Sequence, residues 1–375
     1  MDWSLIEYQA AAVGFLVAFL LAVLLTPVVS EAAWWAGAVD RSTDARRMHH
    51  APTPLLGGLA MLLAIAIPAL ALGNDHGFWG IMAGAALMAL LGAIDDIHPL
   101  HPAVKFGGQI AIAAIPAWLG ITIDHVTLPL IGVFDLDWMQ YPVTIIWIVA
   151  IANIVNFIDG MDGLAAGFCA IAALTFSILS ASLGRVDAAA IAAIVSGAAF
   201  GFLRYNFYPA TIFMGDAGAL MLGYLLAALS IQGVLKTAAA VSLVFPLVVL
   251  ALPILDTSFV ILKRIKHRQP IYQADRWHFH HRFAAIGYSQ RRSAVHLYLW
   301  CASLSALALA IRFVPNHRHG WDTITLVVLG VFGLVALATT LTTLYVLEII
   351  KPRHLRAVGL PVRSSDDMPQ SGRAA

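Results

Sequence analysis

The sequence predicts an all-α polytopic membrane protein of about eleven transmembrane helices. Three observations carry that expectation. The chain is 60% apolar and only 11% charged, whereas soluble domains carry about 25% charged residues. Apolar runs of around 20 residues, long enough to cross a bilayer core as helices, recur from one end to the other. The dense polar clusters fall at the ends of those runs or between them.

The first run, about 9–29, follows Asp2 and Glu7 and precedes Arg41, Arg46 and Arg47. A signal peptide would carry its positive charge in front, so this run reads as a retained span with its amino terminus outside. Further spans are expected near 55–73, 78–95, 106–122, 142–159, 164–183, 187–205, 215–234, 238–263, 294–314 and 322–348. The inner loops are then 30–54, 96–105, 160–163, 206–214 and 264–293. Of the 22 Lys and Arg residues, only Arg185, Lys236, Arg312 and Arg318 fall outside, which agrees with the positive-inside rule. The odd span count leaves the carboxyl tail in the cytoplasm. Residues 1–350 read as one transmembrane domain, and 351–375, rich in Ser, Arg, Asp and Pro, as a disordered tail.

The external stretch 123–141 contains "HVTLPLIGVFDLDW", whose alternation predicts a small hairpin. A net charge of +1 gives no support to a nucleic-acid partner. Cys169 and Cys301 each lie in an apolar run and read as small buried hydrophobes. There is no fixed-period repeat.

Every polar cluster lands at a cytoplasmic span end or in a cytoplasmic loop. "LGAIDDIHPLHPAVKFGGQ" ends the third span with Asp95 and Asp96 and opens the fourth with Lys105. Adjacent residues on a helix point about 100° apart, so one carboxylate can face a cavity while the other caps or orients a neighbour. "NIVNFIDGMDGLAAG" puts Asn153 and Asn156 on one face of the fifth span, with Asp159 and Asp162 in the turn that follows, placed to cap amides or to face a ligand. "RYNFYPATIFMGDAGALMLG" brings Phe213 and Asp216 to the start of the eighth span. A lone carboxylate between Gly215 and Gly218 suits a hard cation such as Mg2+, or an N-cap.

"PIYQADRWHFHHRF" concentrates Arg276, His278, His280, His281 and Arg282 in the longest inner loop. The histidines lack the companion ligands of a usual zinc site, while Arg and His together suit phosphate oxygens. "VDRSTDARRMHHAPTPLLGG" adds Arg46, Arg47, His49 and His50 in the first inner loop. Acidic groups for a divalent cation and basic groups for phosphates on one membrane face fit metal-assisted phosphoryl transfer. The main alternative is an ion-coupled secondary transporter, whose polar groups would sit nearer the bilayer midplane. An intramembrane aspartyl protease would need Gly where Phe213 stands.

At these motifs the sequence resembles the polyprenyl-phosphate N-acetylhexosamine-1-phosphate transferases, and most closely the WecA/TagO branch, related to MraY. The resemblance runs from the first loop to the histidine-rich one. It implies transfer of N-acetylhexosamine-1-phosphate, with GlcNAc favoured, from a UDP-sugar to undecaprenyl phosphate or a similar lipid. UMP is released, and cell-envelope glycan synthesis begins. It further implies Mg2+, with Mn2+ as an alternative, a multi-pass protein of the bacterial inner membrane, and room for a homodimer.

By resemblance, Asp216 is the Mg2+ ligand and Asn156 lies near the metal and diphosphate. Asp95 deprotonates or orients the lipid phosphate with Asp96 beside it, and Lys105 contacts the diphosphate. Asp162 and Phe213 hold the uracil. Arg276, His278, His280, His281 and Arg282 form a loop over the diphosphate and sugar. Ser42 stands where the pattern carries Pro and "ARRMHH" carries an additional residue, which leaves His49 and His50 as alternatives for one role. One-step and covalent routes both stay open.

Overall fold

The structure is a computed structural model, and it describes residues 3–40, 52–71, 76–128, 132–235, 243–266, 268, 279, 282–283, 287–314 and 323–346. Among the described residues the chain is mostly helical. The helices are α1 (Trp3–Ala36), α2 (Gly57–Leu70), α3 (His76–Ile97), α4 (Pro102–Trp118), α5 (Gln140–Ile158), α6 (Leu164–Ser182), α7 (Val186–Asn206), α8 (Gly215–Ser230), α9 (Val244–Val249), α10 (Ala251–Lys266), α11 (Gln290–Phe313) and α12 (Thr323–Val346).

Eight of these are long and apolar enough to cross a membrane: α1, α3, α5, α6, α7, α8, α11 and α12. The remaining expected spans coincide with α2, with α4, and with α9 plus α10, all of them shorter. The expected single span over 238–263 is broken at Leu250. Pro253 explains the break, because its ring in a continuous helix would collide with the carbonyl of Val249 and it has no N–H to give. In contrast, α1 overruns its expected end at 29, because neither Gly nor Pro falls between that point and Gly37 and an apolar window registers hydropathy rather than helix length.

The all-α expectation needs one amendment, since two small antiparallel pairs are present. β1 (Val39–Asp40) pairs with β2 (Thr53–Pro54). β3 (His125–Leu128) pairs with β4 (Gly132–Asp135), the hairpin expected from the alternation in 123–141. Ile123 N donates to Thr144 Oγ1 at 2.8 Å and ties that hairpin to the start of α5. Both cysteines are buried and free. The tail 351–375 lies outside the described residues.

Helix α8 is the axle of the bundle, buried along nearly its whole length, with α2, α3, α5 and α6 packed around it. α1 lies against α7 and α2, and α12 against α11, both showing most of their apolar surface to the outside. That distribution is the one a bilayer imposes: the interior packs by shape and the periphery is covered by lipid.

Gly92 on α3 lets α3 press against the start of α8, because a Cβ there would overlap the backbone of Asp216 and Ala217. Because successive helices alternate in direction, the ends of α3, α5 and α7 meet the starts of α4, α6 and α8 at one end of the bundle. Asp95, Asp96, Lys105, Asn156 and Asp216 gather there.

Candidate active site

Asp216, in the first turn of α8, is the centre of the cluster. Its Oδ1 accepts a hydrogen bond from Asn156 Nδ2 at 2.7 Å. Its Oδ2 forms an ion pair with Lys105 Nζ. The same ammonium pairs with Asp95 Oδ2 at 2.9 Å, so one cation is shared by two carboxylates from different helices. Asp95 is held in turn by Leu100 N, which donates to its Oδ1 at 2.7 Å across the α3–α4 corner. Lys105, Asp95 and Asp216 are all partly accessible, with side-chain exposures of 19%, 16% and 27%. The cluster therefore opens to the medium at one edge.

Asp96 takes the capping place that the divergence of two adjacent acids allows. Its Oδ1 accepts from Asp216 N at 2.9 Å and its Oδ2 from Ala217 N at 3.1 Å. A helix N-terminus leaves its first amides unsatisfied, and here a carboxylate from a neighbouring helix satisfies two of them and complements the helix dipole. Gly215 makes this approach feasible: it has φ +65, and a Cβ would overlap the Asp96 carboxylate. The two adjacent acids thus face opposite duties, Asp95 toward the open cluster and Asp96 into the protein.

The turn after α5 forms the next wall. Asp162 is 2% exposed and its Oδ2 accepts from Ala210 N at 2.9 Å, which holds the 207–214 loop in place. Asn206 Oδ1 accepts from Gly163 N at 3.1 Å, and Tyr298 of α11 donates its hydroxyl to Gly163 O at 2.5 Å. Phe213 is half-buried and fixed through its backbone: its N donates to Pro54 O at 2.9 Å, and its carbonyl accepts from Gly57 N at 3.0 Å. Asp159, at the carboxyl end of α5, lies near three other acids. Withdrawal from water and the negative charges of Asp216, Asp96 and Asp162 push its carboxyl well above the usual range.

The structure therefore joins Asp95, Asp96, Lys105, Asn156 and Asp216 into one cluster, with Asp162 and Phe213 in the adjoining turn and loop. Arg282 places its guanidinium 5.4 Å from the centre of the Phe259 ring on α10. Arg276, His278, His280 and His281 lie outside the described residues, as do Arg46, Arg47, His49 and His50.

Two supporting residues escaped the sequence reading. Tyr298 sits in an apolar span with nothing to mark its hydroxyl, whereas Asn206, beside the "RYNFYP" run, had a polar neighbourhood that pointed to it. Asp256 does act structurally, since its Oδ1 accepts from Phe279 N at 2.8 Å.

The donor set suits a hard divalent cation. Two carboxylates already share a cationic group, the ligand atoms are oxygens, and Mg2+ is commonly held by one or two carboxylates together with substrate phosphates and water. Among the described residues no group of three or more His, Cys, Asp or Glu is arranged to hold a metal ion by itself, so within them Asp216 and its neighbours offer only part of a coordination shell.

A helical bundle with this charged edge is built as an integral membrane enzyme for phosphate transfer. Comparison with known proteins gives the same class. Residues 78–234 match Glycosyl transferase family 4. The chain is 39% identical over 302 residues to the "Probable undecaprenyl-phosphate N-acetylglucosaminyl 1-phosphate transferase" of Bacillus subtilis (strain 168), covering 79% of this chain and 84% of the relative. It is 33% identical over 319 residues to the "Decaprenyl-phosphate N-acetylglucosaminephosphotransferase" of Mycobacterium leprae (strain TN), covering 76% and 80%. It is also similar to the "Phospho-N-acetylmuramoyl-pentapeptide-transferase" of Desulforudis audaxviator (strain MP104C), at 30% over 333 residues, covering 80% and 96%. The chain belongs to glycosyl transferase family 4, the polyprenyl-phosphate N-acetylhexosamine-1-phosphate transferases that its motifs resemble. The transporter alternative falls with that membership.

Proposed function

We propose that the protein transfers GlcNAc-1-phosphate from UDP-GlcNAc to undecaprenyl phosphate or a similar polyprenyl phosphate, releasing UMP, at the cytoplasmic face of the bacterial inner membrane. The observation that carries this reading is Asp216 held between Lys105 and Asn156 beside Asp95, at the accessible end of an apolar bundle. The relatives' names supply the sugar and lipid class. Eleven spans with the amino terminus outside complete the reading, and a homodimer is compatible with the lipid-facing surfaces of α1 and α12.

In this reading an oxygen of the lipid phosphate attacks the β-phosphorus of UDP-GlcNAc. A new P–O bond forms, the bond from the β-phosphorus to the bridging oxygen breaks, and that oxygen leaves with UMP. One diphosphate linkage replaces another, so the protein's task is alignment and charge stabilisation. The lipid phosphate's second pKa is about 6, so much of it is dianionic at neutral pH and a strong base is unnecessary.

Lys105 supplies positive charge to the phosphate oxygens, as basic groups do in phosphoryl transfer. Asp95 orients that ammonium, and Asn156 fixes the Asp216 carboxylate. Asp216 would hold Mg2+, which when bound neutralises charge on the diphosphate. Phe213 offers a ring to the uracil. Asp162, tied to Ala210, shapes the same wall.

The test is an assay of purified protein in lipid nanodiscs with a panel of UDP-sugars and polyprenyl phosphates, with Mg2+, with Mn2+ and with EDTA. UMP and lipid-diphospho-GlcNAc are expected only with a divalent ion. Asp216→Asn should nearly abolish both products while the protein stays folded. Full turnover in EDTA, or in folded Asp216→Asn protein, refutes the metal role. No product with any sugar refutes the reading.

A further inference from the structure

One turn inside the cluster lies a second polar contact that the mechanism does not use. Asn153 Nδ2 donates to Gln109 Oε1 at 2.6 Å and to Val149 O at 2.8 Å. Gln109 is 1% exposed. Gln109 stands four residues after Lys105 on α4, and Asn153 three before Asn156 on α5, so each shares a helix face with a residue of the cluster. The two contacts form successive rungs linking α4 and α5, the outer one through Asp216 of α8 and the inner one direct, about 5–6 Å apart along the axes. The outer rung is Lys105–Asp216–Asn156 and the inner one Gln109–Asn153.

We propose that Gln109 and Asn153 are positioning residues, a register lock that sets the rotation and axial height of α4 against α5 and so delivers Lys105 and Asn156 to opposite oxygens of Asp216. The inference rests on the functional reading above only for its kinetic readout.

Three features carry it. First, α4 is a peripheral helix with Val104, Phe106 and Ile110 exposed, and its inward face is Gln109, Ile112, Ala113, Pro116 and Ala117. Among its buried residues only Gln109 is polar, and apolar contacts are non-directional; below Lys105 at the open edge, Gln109 is the buried side chain able to specify a rotation. Second, an amide in an apolar bundle has no water to fall back on, so a slipped register leaves buried donors and acceptors unmet. Third, both Nδ2 hydrogens of Asn153 are committed, one across to α4 and one to its own helix. This fixes the amide plane, and with it the direction from which Gln109 must approach.

The test is a double-mutant cycle in nanodiscs with Gln109→Leu, Asn153→Leu, the double variant and the swap Gln109→Asn/Asn153→Gln. Each single change is expected to lower kcat by about ten- to a hundredfold, the scale on which a small misplacement acts. KM for UDP-GlcNAc should stay within about twofold, since the groups that meet the nucleotide are untouched. The double variant should be no worse than either single one, and the swap should recover most of the lost kcat. A thermal-melting cycle on the same variants should show the same non-additivity without any substrate.

Singles with wild-type kcat, or losses that simply multiply in the double variant, overturn the proposal. Lower melting temperatures with kcat intact reduce the pair to a packing role and overturn it as well. A wild-type protein that transfers no sugar phosphate refutes the functional reading instead, and the melting cycle then still decides whether the pair is coupled: additive melting shifts overturn it.

Discussion

Two side chains at the edge of the cluster lend themselves to direct measurement. Phe213 is held by its backbone and its ring is half-buried beside the cluster. Phe213→Ala should weaken UDP binding by about 1 kcal/mol, the size of one aromatic stacking contact, read by titration calorimetry. Equal affinity would remove the ring from the nucleotide site.

Asp159 makes a prediction about pH. Its carboxyl is raised in the folded state by withdrawal from water and by Asp216, Asp96 and Asp162. Folding therefore favours its protonated form, and the cost of ionising it grows as pH rises above the unfolded carboxylate value, about 3.9. Asp159→Asn, which keeps the shape and never ionises, should raise the melting temperature at pH 8 in metal-free buffer. The gain should shrink toward zero near pH 4. A gain that is constant with pH would show that charge is not the cause.

At this scale the sequence was informative where a polar residue interrupts an apolar context, as Asp95, Lys105, Asn156 and Asp216 do. For Asp96 it was informative only in part, because the spacing of two adjacent acids says that they diverge and that one can cap a neighbour, but not that the start of α8 is the neighbour.

Among the elements, α8 shows how a buried axle can be built in an apolar chain. Its neighbours can approach its start because Gly92 lacks a side chain, and its first amides are met by Asp96 rather than by water. Gly92→Val should destabilise the protein by about 1–3 kcal/mol or more, the scale of overpacking against atoms that cannot yield, and lower kcat by shifting Asp216. Thermal unfolding and steady-state assays check both, and unchanged values would mean that α3 can retreat at no cost.

The helices themselves were legible from hydropathy, since each expected apolar run contains one. The break between α9 and α10 was not anticipated, although Pro253 signalled it. A composition count scores Pro as one residue among many, whereas the backbone registers it as a collision with the preceding turn. The contact between Tyr298 and Gly163 was not legible either, because it joins residues far apart in the chain and an isolated hydroxyl in a span carries no periodic signature.

For the whole molecule, the alternation of helix direction explains why motifs scattered from Asp95 to Asp216 meet. Each lies at a span end, and antiparallel neighbours bring alternate ends to the same level. If the basic loops lie in the cytoplasm, as the charge bias expects, a cysteine placed at Trp138 beside the hairpin should react with an impermeant maleimide in intact cells. One placed at Gly287 should react only after the membrane is opened. The opposite pattern would invert the topology and put the cluster beyond the reach of a cytoplasmic nucleotide sugar. The fold class could be read without coordinates because a bilayer demands long apolar runs, a constraint written directly into composition. Side-chain convergence is set by rotations about each helix axis, which composition does not record.

The divided labour of the adjacent acids on α3 has an evolutionary corollary. Because Asp96 anchors a neighbouring helix while Asp95 pairs with Lys105 in the open cluster, lengthening or shortening α3 by a single residue upstream would turn both bearings by about 100°. An added residue would carry Asp95 to the anchor's bearing and Asp96 beyond it, and a lost one would carry Asp96 to the open cluster and leave the start of α8 without its anchor. Such an insertion would leave hydropathy and span length intact and still silence the protein, so tolerated length variation should be confined to the far end of that helix and to the loop before it.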